Sequence, residues 1–84
     1  VTADTFPDAD TDPLVDLLIA EAARSWEVYG HYRSAHEAYG VLAEETLELL
    51  QAIHANDDDA AQREALQVAA VAFRFAAQGW RREG

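Results

Sequence analysis

The chain has no cysteine, which excludes disulfides, thiolate metal sites and cysteine redox chemistry together. Basic residues are scarce: six Lys and Arg stand against sixteen Asp and Glu, giving a formal net charge of −10. Charge of that sign repels nucleic acid and anionic membrane surfaces, so neither direct nucleic-acid binding nor membrane association is expected. Apolar runs are short. The one opening at Val68 falls well below the ~20 residues needed to cross a bilayer. Strand alternation, internal repeats, a Gly-rich phosphate loop and a Ser/His/Asp arrangement are missing too. The start is acidic and lacks the basic n-region of a signal peptide, so a cytoplasmic location is expected.

What remains is 84 residues, half of them hydrophobic. That length allows one domain at most, and the apolar content argues against compositional disorder. Alanine is abundant and β-branched residues are few, which favours helix. Helix packed on helix is then the expected architecture: an all-α, antiparallel helical bundle with three main helices. A core this small is marginal without disulfides, metal or oligomerisation. Disulfides are excluded, so a metal or self-association is needed.

Residues 1–11 carry Pro7 and several aspartates without periodicity and read as a flexible acidic tail, in which Phe6 is free to dock on a neighbouring subunit. Residues 12–84 read as a single helical domain. Asp12-Pro13 is a helix start: aspartate suits the N-cap, and proline suits the first helical position, where its missing N–H has no partner to lose. Leu14, Leu18, Ala22, Trp26 and Tyr29 follow at helical spacing, with Asp16, Glu21, Arg24 and Glu27 opposite, as far as Gly30. Ser34 and Glu37 form a capping box for a second helix over about 35–55, the glutamate reaching back to the Ser34 N–H. Gly40 inside it is a place for close helix approach. Asn56-Asp57-Asp58-Asp59 is a turn. A third helix is expected from about Ala60 to Trp80, with Gly79 and Gly84 as stops. It is apolar around most of its circumference, with a polar stripe of Arg63, Gln67, Arg74 and Gln78. A helix with so little polar surface expects burial on several sides, more than three short helices provide. A homodimer or homotetramer is therefore expected.

The chemistry-bearing feature is acidic. At about 100° per residue, Glu44 and Glu48 lie about 40° apart, and Glu45 and Glu48 about 60°. Three carboxylates so placed repel one another on an isolated helix. Glu45 projects among Ala38, Val41, Leu49 and Ala52, on the edge of the apolar arc. Glu64 projects among Ala61, Val68, Val71 and Phe75. A carboxylate on the core side requires a proton, a base or a metal. The 56–59 turn lies at a similar distance from both acidic turns, so a hairpin brings them face to face. Carboxylates converging from two helices suit a hard divalent cation such as Mg²⁺. The competing readings are a solvated acidic face, most natural for Glu37 and Glu44, and salt bridges to Arg33, Arg63 or Arg74.

These residues also carry a resemblance. Glu45-x-x-Glu48, followed by Glu64 on the next helix, resembles the E-x-x-E … E-x-x-D signature of the MazG-like all-α nucleotide pyrophosphohydrolases. The stretches His36–Glu45 and Leu66–Ala72 are similar to the corresponding helices of short bacterial and phage members, and the similarity spans about residues 14–80. The resemblance implies helical-bundle dimers or tetramers that hydrolyse nucleoside triphosphates to monophosphate and pyrophosphate with Mg²⁺, or Mn²⁺ in its place. It implies Glu45, Glu48 and Glu64 as metal ligands, with Gln67 where the signature has aspartate. Under that reading Glu44 or Glu48 orients or deprotonates the attacking water. Arg33, His36, Arg63 and Arg74 are candidate phosphate contacts, and Trp26, Tyr29, Tyr32 and Tyr39 candidate base-stacking rings. An amide at 67 carries no charge and cannot act as a base. That leaves a second expectation, a non-catalytic nucleotide- or protein-binding MazG-like module, and a third, a structural helical adaptor.

Overall fold

The computed structural model describes residues 13–81, so the expected acidic tail with Phe6, the Asp12 cap and the Gly84 stop lie outside the described residues. Three helices follow in order: α1 (Pro13–Tyr29), α2 (Ala35–His54) and α3 (Asp58–Arg81), with no strand among the described residues. The fold is all-helical. No helix among the described residues is long and apolar enough to cross a membrane.

Local chemistry sets the boundaries. α1 stops at Gly30, which takes φ +75° and donates its N–H to the Trp26 carbonyl at 2.8 Å; this left-handed cap is a conformation glycine adopts without Cβ strain. Ser34 caps α2, its hydroxyl accepting from the Glu37 N–H at 3.0 Å. The reciprocal bond differs from the expected box: Glu37 accepts from the Arg33 N–H at 2.7 Å, not from that of Ser34. The turn after α2 places Asn56 at φ 59°, and the Asp57 N–H returns to the Ala52 carbonyl at 3.1 Å, a Schellman-type closure. Asp57 then caps α3 by accepting from the Ala60 N–H at 3.0 Å, so α3 begins at Asp58, earlier than periodicity suggested. It also runs through Gly79, which does not stop it. A Cβ at Gly40 would meet nothing within 4 Å, so no helix approaches there.

α3 is the central element. α2 and α1 each pack against it, while α1 and α2 do not pack on one another. The core is thin: Ala22, Tyr32, Ala38, Ala70 and Val71 are its buried apolar residues, with Val41 and Leu42 packed beside Tyr32, Ala38 and Val71. Leu14, Leu17, Ile19, Leu47, Leu50 and Ile53 are about half exposed.

The stripe on α3 faces the other way from the sequence expectation. Gln67, Arg74 and Gln78 do not form a solvated face. With Glu64 and Val71 they occupy the helix's inward side, and Arg74 is only 5% exposed. The reason is the connection between α1 and α2, which lies against α3 and requires polar partners for its backbone. The Gln78 amide brackets Tyr32, accepting from its N–H at 2.8 Å and donating to its carbonyl at 2.9 Å. Arg74 donates to the Tyr32 hydroxyl and to the Gly30 carbonyl, both at 2.9 Å, with its guanidinium 4.5 Å from the Tyr32 ring centre.

Candidate metal centre

Glu45 and Glu48 stand one turn apart on α2, and Glu64 meets them from α3. Each offers a carboxylate oxygen, and the three oxygens lie within 4.8 Å of one another. Around an octahedral Mg²⁺ with bonds of ~2.1 Å, ligand oxygens sit about 3 Å apart when adjacent and about 4.2 Å when opposite. The observed spread is thus within a small side-chain rotation of a ligand set.

The three positions are not equivalent. Glu48 is exposed, whereas Glu45 and Glu64 are half-buried. One Glu45 oxygen, Oε1, is closed off from solvent and has no hydrogen-bond partner. Burial, then the charges of Glu48 and Glu64, raise the Glu45 carboxyl above its ordinary range. All these effects disfavour the anion, and a bound cation would offset each of them. No arginine pairs with the cluster: among the described residues the ion pair is Arg24–Glu21. The salt-bridge reading of Glu45, Glu48 and Glu64 therefore has no geometric support.

The cluster forms one wall of an open cleft of about 660 Å³. Gln67, Val41 and Val71 continue that wall. The remainder of the lining includes Arg24, Arg33, Arg74 and His31 beside Tyr29 and Tyr32, with Glu37 as a fourth acid. Tyr29 is 72% exposed, so its ring is open to a ligand, whereas Tyr32 is buried and has Arg74 over its ring. Burial raises the Tyr32 phenol above its ordinary range, against the opposing charge and hydrogen bond of Arg74.

Several expected site residues stand elsewhere. Glu44, His36 and Arg63 are exposed and do not line the cleft. Glu44 points away because its rotation on α2 carries it past the α3 contact; His36 lies in the first turn of α2, and Arg63 on the outer side of α3. Trp26 is half-buried, edge-on to His31 at 4.7 Å, and Tyr39 lies 70% exposed beside Phe75 at a separate apolar groove. Neither ring reaches the cleft.

One participant was missed. Glu21, expected on the outer face of α1, has a side chain only 16% exposed. It accepts from the Arg24 Nε and Nη2 at 3.0 and 2.6 Å and from Ser25 Oγ at 3.3 Å. The Arg24 hydrogen bond is the main cause of its lowered pKa, with further lowering by a hydrogen bond from Gln67. The available signal was the pair of small residues, Ala22 and Ser25, which mark the side of α1 able to approach another helix and which are buried there. Set against protein-family models, curated proteins and solved structures, the chain matches none of them.

Proposed function

We propose that Glu45, Glu48 and Glu64 hold a divalent cation, Mg²⁺ or Mn²⁺ in its place, and that the chain is a nucleoside triphosphate pyrophosphohydrolase. In the reaction, water attacks the α-phosphorus and the α–β anhydride bond breaks, giving a nucleoside monophosphate and pyrophosphate. The observation that carries the reading is the convergence of three carboxylates from two helices around an orphaned, solvent-excluded Glu45 oxygen. When bound, the cation supplies charge neutralisation and Lewis acidity at a phosphoryl oxygen. That also lowers, at the site, the repulsion between a chain of net charge −10 and a triphosphate. In this reading Glu48, which is exposed, accepts the proton of the attacking water. With Glu44 outside the cleft, that role falls to Glu48 alone. The open Tyr29 ring offers a face for a base to stack on.

Gln67 favours a second reading, a module that binds nucleotide or a protein without turnover. The residue is uncharged and cannot act as a base. Pyrophosphate release from a panel of ribo- and deoxyribonucleoside triphosphates with Mg²⁺ decides between them. Release that disappears in Glu45→Gln and Glu64→Gln supports the enzyme. Flat release from wild type, with nucleotide still bound, supports the module.

The same proposal includes an antiparallel bundle completed by a second copy, as a homodimer or homotetramer. Its support is the thin core and the half-exposed Leu47, Leu50 and Ile53 on α2 and Leu14, Leu17 and Ile19 on α1, more apolar surface than a monomer usually leaves in water. Light scattering on the eluting protein tests it, and a monomer at micromolar concentration rejects it. A cytoplasmic setting accords with this chemistry.

A further inference from the structure

We propose that the arginines lining the cleft form an anion subsite that takes a phosphoryl group on its own, with or without a cation at the carboxylate cluster; this deepens the nucleotide reading above, under which Arg33 and Arg74 contact phosphate. The first observation is a buried cation without a counter-ion among the described residues. Arg74 is 5% exposed, and its partners are all neutral: a phenol hydroxyl, a backbone carbonyl and an aromatic face. No carboxylate among the described residues comes within ion-pair distance of it. Among the described residues its Nε–H has no acceptor. A guanidinium taken out of water without a compensating anion is costly, and an unpaired buried donor adds to that cost.

The second observation is where this cation stands. Among the described residues, two side chains have buried polar atoms without a partner, Glu45 and Arg74, and both line the same cleft. One requires positive charge and the other negative. They do not satisfy each other, because the carboxylates converge between α2 and α3 while Arg74 is drawn toward the 30–32 connection. Arg33 lines the same cleft and is exposed, with no ion pair to its guanidinium among the described residues. Arg24 adds a third cation whose charge is shared with Glu21. Three of the chain's six basic residues thus line one cleft. Glu37 also lines it, with Oε1 occupied by the Arg33 N–H. Planar guanidinium groups match the tetrahedral oxygens of a phosphoryl group, and charge-assisted bonds to them are the strong kind.

This subsite does not depend on the proposed metal. The test titrates inorganic phosphate into the wild-type chain in EDTA at constant ionic strength, following arginine Nε–H signals by ¹⁵N–¹H NMR. A saturable shift of the Arg74 signal is expected, with the apparent Kd raised about tenfold in Arg33→Ala, the loss of ~1.4 kcal/mol. Arg33 is exposed, so that variant keeps the fold. The double variant Glu45→Gln/Glu64→Gln should lose Mn²⁺ binding and keep the phosphate response. An Arg74 signal that ignores phosphate, or that moves equally with chloride, overturns the subsite. So does a response seen only when Mn²⁺ is present, an outcome that leaves the metal reading standing. Phosphate binding by a wild-type chain that takes up no Mn²⁺ upholds the subsite and removes the metal centre.

Discussion

The substitution Glu45→Gln separates a metal centre from an acidic surface, because it should act with opposite signs in the absence and presence of metal. The carboxyl is half-buried, faces Glu48 and Glu64, and carries an oxygen with neither solvent nor partner. Its pKa is raised in the folded state, so the folded chain binds this proton more tightly than the unfolded chain. The site's stability is fully present below the unfolded value, declines as pH rises through the raised folded value, and is lowest above it. Above the unfolded value and without metal, the site therefore contributes less stability than it does in acid. Replacing the carboxylate with an amide of the same shape leaves a polar atom in the closed-off position but removes the repulsion with the neighbouring carboxylates, about 1 kcal/mol for a pair of unit charges ~4 Å apart even at the dielectric of water. A gain of that size raises the melting temperature of a domain this size by about 4–8 °C. With metal the order reverses. A cation at about 100 times its Kd stabilises the wild type by ~2.7 kcal/mol, and the variant loses most of that. The assay is a pair of thermal melts at fixed protein concentration, one in EDTA and one in Mn²⁺, repeated from pH 4 to pH 8. Wild type should lose stability with rising pH in EDTA, and the variant should lose less. A variant less stable than wild type in EDTA, or one that keeps the full Mn²⁺ response, refutes the reasoning.

Gln67→Asp restores a carboxylate beside the cluster; it should tighten Mn²⁺ binding and raise pyrophosphate release, and an unchanged Kd would show that position 67 does not reach the cation. The cost is new repulsion with Glu21, so the variant should melt below wild type in EDTA. Gln78→Ala removes both hydrogen bonds that hold Tyr32 to α3, at about 1–3 kcal/mol; chemical denaturation should show it, and faster amide exchange at Tyr32 would locate the damage. Gly30→Ala puts a Cβ on a φ of +75° where no atom crowds it, so the loss should be confined to backbone strain, ~1–2 kcal/mol, without a change in metal affinity.

The fold was legible where one residue's local chemistry decides. Pro13 opens α1, Gly30 closes it, Ser34 caps α2, and Asn56-Asp57 turns the chain into α3. Glu45 and Glu48 were legible as a pair because helical spacing alone puts them on one turn. Glu64 was legible as their partner because a tight turn between two helices equalises depth. These residues meet as that spacing implies. The reading failed where a side chain's direction depends on a distant neighbour. Glu21 and Arg24 look alike as members of a polar face, yet the Glu21 side chain is only 16% exposed against 57% for Arg24.

The sequence by itself determined an all-helical chain, its breaks, and an acidic turn whose carboxylates cannot all face water. Periodicity and capping are short-range, so those features follow from residues within a turn or two of each other. Only the tertiary structure decided that α3 is shared by two helices that do not touch each other, and that its polar stripe is interior. The rotation of a helix about its axis is set by what packs on both its sides. Here the backbone polar groups of residues 30–32 need Arg74 and Gln78, and meeting that need turns the stripe inward.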